Sequence, residues 1–161
     1  MDEILFGEVA LPIQPRMVAV VGQVAAGLWL EGDDLSMASH KPVPYVPTRY
    51  KNAEQRAYKV SGTSMNLAGI VDGSYVITIP YWQVRERIQD GDLVVVERRE
   101  GSLLERTVKL VTIGPTSYTL ESRSSDPKWE KSIITIPRGG DVADDRVVEI
   151  VGLVVGSYTP F

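Results

Sequence analysis

The chain has 161 residues, 43% hydrophobic and 24% charged, so it is long enough for one ordinary domain with a true core. Its net charge of −4 and pI near 5.1 are of the wrong sign for a domain that grips phosphate backbones. No apolar run reaches the roughly 18 residues of a membrane span, and the absence of cysteine excludes a disulfide framework or a thiolate metal site.

Taken in order, residues 1–17 carry Pro12 and Pro15, show no helical period, and read as a linker or arm. Their acidic start, Met1-Asp2-Glu3, lacks the basic head of a secretory signal, and we expect a cytoplasmic protein. Residues 18–48 form a segment of their own. It opens within the apolar run Met17 to Val21, passes through Val24-Ala25-Ala26-Gly27, and becomes a surface connection rich in proline (Pro42, Pro44, Pro47). Residues 49–161 then show closely spaced strand signals. These are Ala57–Val60, Ser74–Ile79 after Asp72-Gly73, and Leu93–Glu97 after Asp90-Gly91. Arg106–Val111 pairs with the last of these across a turn at Glu100-Gly101, and Tyr118–Leu120, Ile133–Ile136 and Val147–Val155 follow. Short helical pieces are expected at Met65–Ile70 and Tyr81–Ile88. Short strands punctuated by Asp-Gly and Gly-Pro predict a mainly β domain of twisted antiparallel sheets with a partly closed barrel.

Two features suggest chemistry. Val60-Ser61-Gly62-Thr63-Ser64-Met65 puts a serine on a glycine-containing turn, and Lys109 follows 45 residues later inside the apolar strand Thr107-Val108-Lys109-Leu110. A serine hydroxyl needs a base, and a lysine serves only when neutral, so its ordinary pKa of about 10.4 must fall. Burial among apolar residues does this by disfavouring the ammonium. On strict strand alternation Thr107 shares a face with Lys109 and is expected to hydrogen-bond its amine. The backbone N–H groups of Thr63 and Ser64 are placed to receive an oxyanion. Ala25, Ala26 and Gly27 are small enough to lie in a narrow cleft, with Val21 and Val24 filling apolar pockets beside it. Each feature alone has a plainer explanation: a turn serine, an outward strand lysine, an ordinary Ala-Gly loop. Their combination carries the reading.

That ordered set, with Gly69-Ile70-Val71-Asp72-Gly73, Gly91-Asp92 and the ending Ile150 to Gly156, resembles the LexA-type self-cleaving repressors and the related UmuD mutagenesis proteins. The likeness runs from about Val18 to Gly156. It implies a LexA/signal-peptidase-like β domain and a Ser64–Lys109 dyad cutting between Ala26 and Gly27. It also implies a homodimer, with the RecA–single-stranded DNA filament as stimulus in the SOS response. Such repressors carry a helix-turn-helix before the cleavage site, and the 26 residues before Gly27 are too few for one. The expectation is therefore a repressor fragment whose DNA contact lies in an absent N-terminal module, with a UmuD-like polymerase subunit and a non-cleaving dimerisation module as the alternatives. No cofactor, metal or membrane contact is expected. His40 stands alone beside prolines. Trp29, Trp82 and Trp129 read as core or interface residues, and Arg98-Arg99 as a solvated hairpin tip.

Overall fold

A computed structural model of the chain describes residues 16–31, 40–84, 87–129, 133–138 and 146–161. The expected arm at residues 1–17 lies almost wholly outside the described residues, as does the middle of the second expected helix.

The strands are β1 (Met17–Val18), β2 (Val20–Val24), β3 (Trp29–Glu31), β4 (Val43–Pro44), β5 (Arg56–Val60), β6 (Tyr75–Pro80), β7 (Leu93–Glu100), β8 (Leu103–Ile113), β9 (Ser117–Glu121), β10 (Ile133–Pro137) and β11 (Arg146–Tyr158). One helical turn, α1 (Tyr81–Val84), follows β6, and a 3-10 turn spans Asn66–Ala68 just after Ser64. The fold is mainly β, as the strand signals predict. Nine strands share one sheet, running β10-β9-β8-β7-β11-β6-β5-β2, with β3 added to β8.

An expected detail fails here. Among the described residues the path ends at β10 on one side and β2 on the other. The sheet is open, because its two end strands pair only inward.

The pleat explains where the core lies. In β7, Val94 and Val96 point into one apolar cluster with Ile79, Val111, Leu120 and Leu153. Val95 points the other way, into a cluster with Val24, Val60, Met65, Ile70, Val76 and Val108. Both faces are therefore covered, which accounts for the unbroken valine run. The β7–β8 hairpin closes at Gly101, whose φ of +59° suits a residue without Cβ. β11 pairs with both β6 and β7 and shifts register at Gly152 and again before Gly156. A Cβ at Gly156 would lie 2.8 Å from a Val46 methyl, so this stretch requires glycine.

The strand carrying Val24 pairs in parallel with β5, in the register Gly22↔Tyr58 to Val24↔Val60. This pairing brings residues 25–27 to the end of β5, where the serine turn begins.

Candidate active site

The turn after β5 is built by local hydrogen bonds. Gly62 takes φ +95°, and its N–H donates to Asp72 Oδ1 at 2.9 Å. Val60 N–H donates to the Ser74 carbonyl and Gly73 N–H to that of Val60, at 2.8 and 2.9 Å, so the Asp72-Gly73 turn clasps the serine turn. Beyond Ser64, the side chain of Met65 is buried in the second cluster. Gly69, at φ +83°, ends the 3-10 turn by donating to the Asn66 carbonyl. The N–H groups of Thr63 and Ser64 donate to no acceptor among the described residues.

The segment Val24-Ala25-Ala26 lines one cleft together with Ser61, Gly62, Ser64 and Val108. About 10 Å3 is left free there, the room of roughly one water. Ser61 N–H donates to the Val24 carbonyl and Ala25 N–H to that of Arg106, both at 2.9 Å. Ala25 to Leu28 then form a turn closed by Leu28 N–H to the Ala25 carbonyl at 3.2 Å, with Gly27 at φ +81°. The Gly27 N–H donates to Glu105 Oε2 at 2.6 Å. Val24 is buried as expected, but Val21 is 46% exposed. In β2 the residues facing inward are Val20, Gly22 and Val24, so alternation turns Val21 to solvent.

Lys109 is 2% exposed and stands opposite Val94 in the β7–β8 ladder. It is not part of the cleft lining, although its neighbour Val108 is. Its Nζ donates to Ser122 Oγ at 2.8 Å. The next residue, Arg123, donates its N–H to the Ser64 carbonyl at 2.9 Å and accepts from Leu67 N–H at 3.0 Å. Ser122 and Arg123 thus join the lysine to the serine turn. Burial pushes the Lys109 pKa down to about 8, Glu105 opposes this shift, and Arg98 adds to it.

The expected Thr107–Lys109 hydrogen bond is absent. Thr107 Oγ1 is buried with no partner among the described residues, and the hydroxyl at the amine is that of Ser122.

Several site residues were not foreseen. Glu105 is 3% exposed and pairs with Arg98, whose Nε donates to its Oε1 at 2.6 Å. The Arg98 guanidinium also covers the Trp29 ring at 5.3 Å. Of the tip read as solvated, Arg98 therefore pairs with the buried Glu105 beside the Ala25–Leu28 turn, its own side chain 34% exposed, while Arg99 and the turn residues Glu100 to Leu103 stay in solvent. The Trp129 ring lies against Gly27, 3.2 Å from where a Cβ would stand. Trp82, expected in a core or interface, is 64% exposed in this chain. His40 Nδ1 meets the Tyr75 hydroxyl at 3.2 Å, a contact that gives the ring a structural place. Among the described residues no helix is long and apolar enough to cross a membrane.

A mainly β fold with a serine turn, a seated small-residue segment and a buried lysine defines a peptidase-like domain. The family model for Peptidase S24-like proteins matches residues 19–155, and the chain belongs to that family. It is similar to the LexA repressors of Leptospira interrogans serogroup Icterohaemorrhagiae, serovar copenhageni (strain Fiocruz L1-130) and serovar Lai (strain 56601). Each is 31% identical over 121 residues, covering 75% of this chain and 54% of the relative. The chain is thus a LexA-like domain that spans about half the length of the curated relatives it matches.

Proposed function

We propose that this domain cuts its own chain between Ala26 and Gly27, with Ser64 as nucleophile and Lys109 as base. The observation that carries the reading is the seat of Val24-Ala25-Ala26 in the cleft that holds Ser64. A buried lysine tied to the serine turn, with a pKa brought down to about 8, adds to it.

The neutral Lys109 amine takes the Ser64 proton as Oγ attacks the Ala26 carbonyl carbon. The carbonyl oxygen becomes an oxyanion, received by the N–H groups of Thr63 and Ser64. Collapse breaks the Ala26–Gly27 bond, and the Lys109 ammonium returns the proton to the departing Gly27 amine. The ester left between Ala26 and Ser64 is hydrolysed by water, which Lys109 deprotonates in turn. Because the segment is already seated, attack within the chain needs no bimolecular encounter.

In the full-length protein the domain would serve as the dimerising half of a cytoplasmic transcriptional repressor, stimulated by a RecA–single-stranded DNA filament. DNA would be bound by a separate helix-turn-helix. Cutting would part that module from the dimer contact and remove the bivalent advantage on an operator.

Intact mass after incubation at pH 7 and near pH 10 tests this, beside Ser64→Ala and Lys109→Ala. A break between Ala26 and Gly27 in the parent alone, faster at high pH, is the expected result. A parent that stays whole at both pH values, with RecA filaments present as well, would overturn the reading in favour of a non-cleaving dimerisation module.

A further inference from the structure

We propose that Ser122 is the positioning residue that holds the Lys109 amine in place for cleavage, in the role that strand alternation alone would give to Thr107. The proposal rests on reading Ser64 and Lys109 as the cleaving pair and adds a part to that machinery.

Three observations carry it. The first is the contact itself, Nζ to Oγ at 2.8 Å. The second is the state of the rival hydroxyl: Thr107 Oγ1 is buried with no hydrogen-bond partner among the described residues. The third is where Ser122 sits in the chain. The β8–β9 ladder ends at Leu110↔Glu121, so the next step outward brings Lys109 and Ser122 alongside each other. One residue further, the Arg123 N–H holds the Ser64 carbonyl, and Ser124 Oγ donates to the Thr63 carbonyl at 2.5 Å. Asn66 and Ser125 exchange two more bonds, at 2.8 and 3.0 Å. A single strap, residues 122–125, therefore grips the base at one end and the nucleophile's turn at the other.

The chemistry requires such a grip. A lysine side chain has four rotatable carbon–carbon bonds and three equivalent donors, so the chain alone does not aim its nitrogen. A neutral amine has two N–H bonds and one lone pair. Donating an N–H to Ser122 helps fix the rotation of the nitrogen, and with it the direction in which the lone pair meets a serine proton. The hydroxyl oxygen is also an acceptor, and an acceptor favours the ammonium form. The charged groups facing Lys109 are Glu105 on its own strand and Arg98 on β7, and the Glu121–Arg123 pair at 2.8 Å flanks Ser122. None of these is altered by truncating Ser122.

The test is the pH dependence of the cleavage rate in the 161-residue chain. Ser122→Ala is expected to lower the plateau rate at least tenfold and to move the rising limb to lower pH, since an acceptor for the ammonium is lost. Ser122→Thr, which restores a hydroxyl, is expected to recover most of both effects. Thr107→Val is expected to change neither. A parent-like profile for Ser122→Ala would overturn the proposal. So would equal losses in Ser122→Ala and Ser122→Thr with the limb unmoved, the mark of a merely structural role. A second readout does not depend on cutting: the Lys109 titration, followed by NMR of 13Cε-labelled lysine in a Ser64→Ala background. Adding Ser122→Ala should move that titration to lower pH, and an unmoved titration sinks the proposal. A parent that never cuts, but whose Lys109 titration responds to Ser122, would retain the contact and defeat the cleavage reading instead.

Discussion

Glu105 acts on the site in two ways that can be separated. Its carboxylate accepts the Gly27 N–H, and its charge holds up a lysine pKa that burial pushes down. Glu105→Gln keeps an acceptor and removes the charge. The rate follows the neutral fraction of Lys109, so it rises with pH through the lysine pKa. Lowering that pKa moves the rising limb to lower pH. At pH 7, one unit below a pKa of about 8, about a tenth of the amine is neutral, so the gain has a ceiling of about tenfold. Loss of the Glu105 charge also leaves Arg98 to act on Lys109 unopposed, which has the same sign. We expect Glu105→Gln to cut faster at pH 7 and no faster at pH 10. A limb that stays in place would show that Glu105 acts through the Gly27 contact alone, and one that moves to higher pH would contradict the sign of its charge effect.

At the scale of elements, the two segments that meet at the cleft were unequally legible. The serine turn was readable because Gly62, Asp72 and Gly73 are local signals, and the structure joins the two turns by bonds that span 10 to 14 residues. The β7–β8 hairpin was readable for the same reason. The strap at 122–125 was not, because Ser-Arg-Ser-Ser has no periodicity and two of its partners, Thr63 and Asn66, lie 61 and 59 residues away. The docking of Glu105 on Gly27 joins residues 78 apart, and nothing in either neighbourhood announces it. Val21 was misplaced because its face depends on the register of β2 against β5, which only the pairing defines. The Ala25–Leu28 turn gives a direct prediction. Gly27 lies at φ +81° with Trp129 close by, so Gly27→Ala meets both backbone strain, about 1 kcal/mol or more, and a crowded ring. The segment is expected to leave its seat, and cleavage at pH 10 should fall by about tenfold or more. The thermal midpoint should stay close to that of the parent, since Gly27 is exposed and outside the core. An unchanged rate would mean that the turn reforms in another shape during the reaction.

At the scale of the whole molecule, the pairing of β2 with β5 decides how the substrate reaches the site. Val18 and Val20 are buried with Ala57 and Ile77 in one cluster, and Val24 with Val60 and Met65 in another. The strand that leads into Ala25 and Ala26 is thus part of the fold that forms the cleft. Another molecule's segment would bury the same three valines, at roughly 1.5 kcal/mol or more each, and so gains nothing over the resident strand while losing the freedom of a separate molecule. Such a visitor would also have to displace the resident strand and its parallel ladder. Tethering within the fold holds the local concentration of the segment far above any protein concentration used in solution. Cleavage should therefore be first order, with a rate constant unchanged when the protein is diluted a hundredfold. The same reasoning covers mixtures, in which Ser64→Ala offers an intact segment but no nucleophile of its own. Parent added to isotopically labelled Ser64→Ala should cut itself and leave the labelled chain uncut. A rate that falls on dilution, or cutting of the labelled chain, would mean that β2 leaves β5 often enough for segments to be exchanged between molecules.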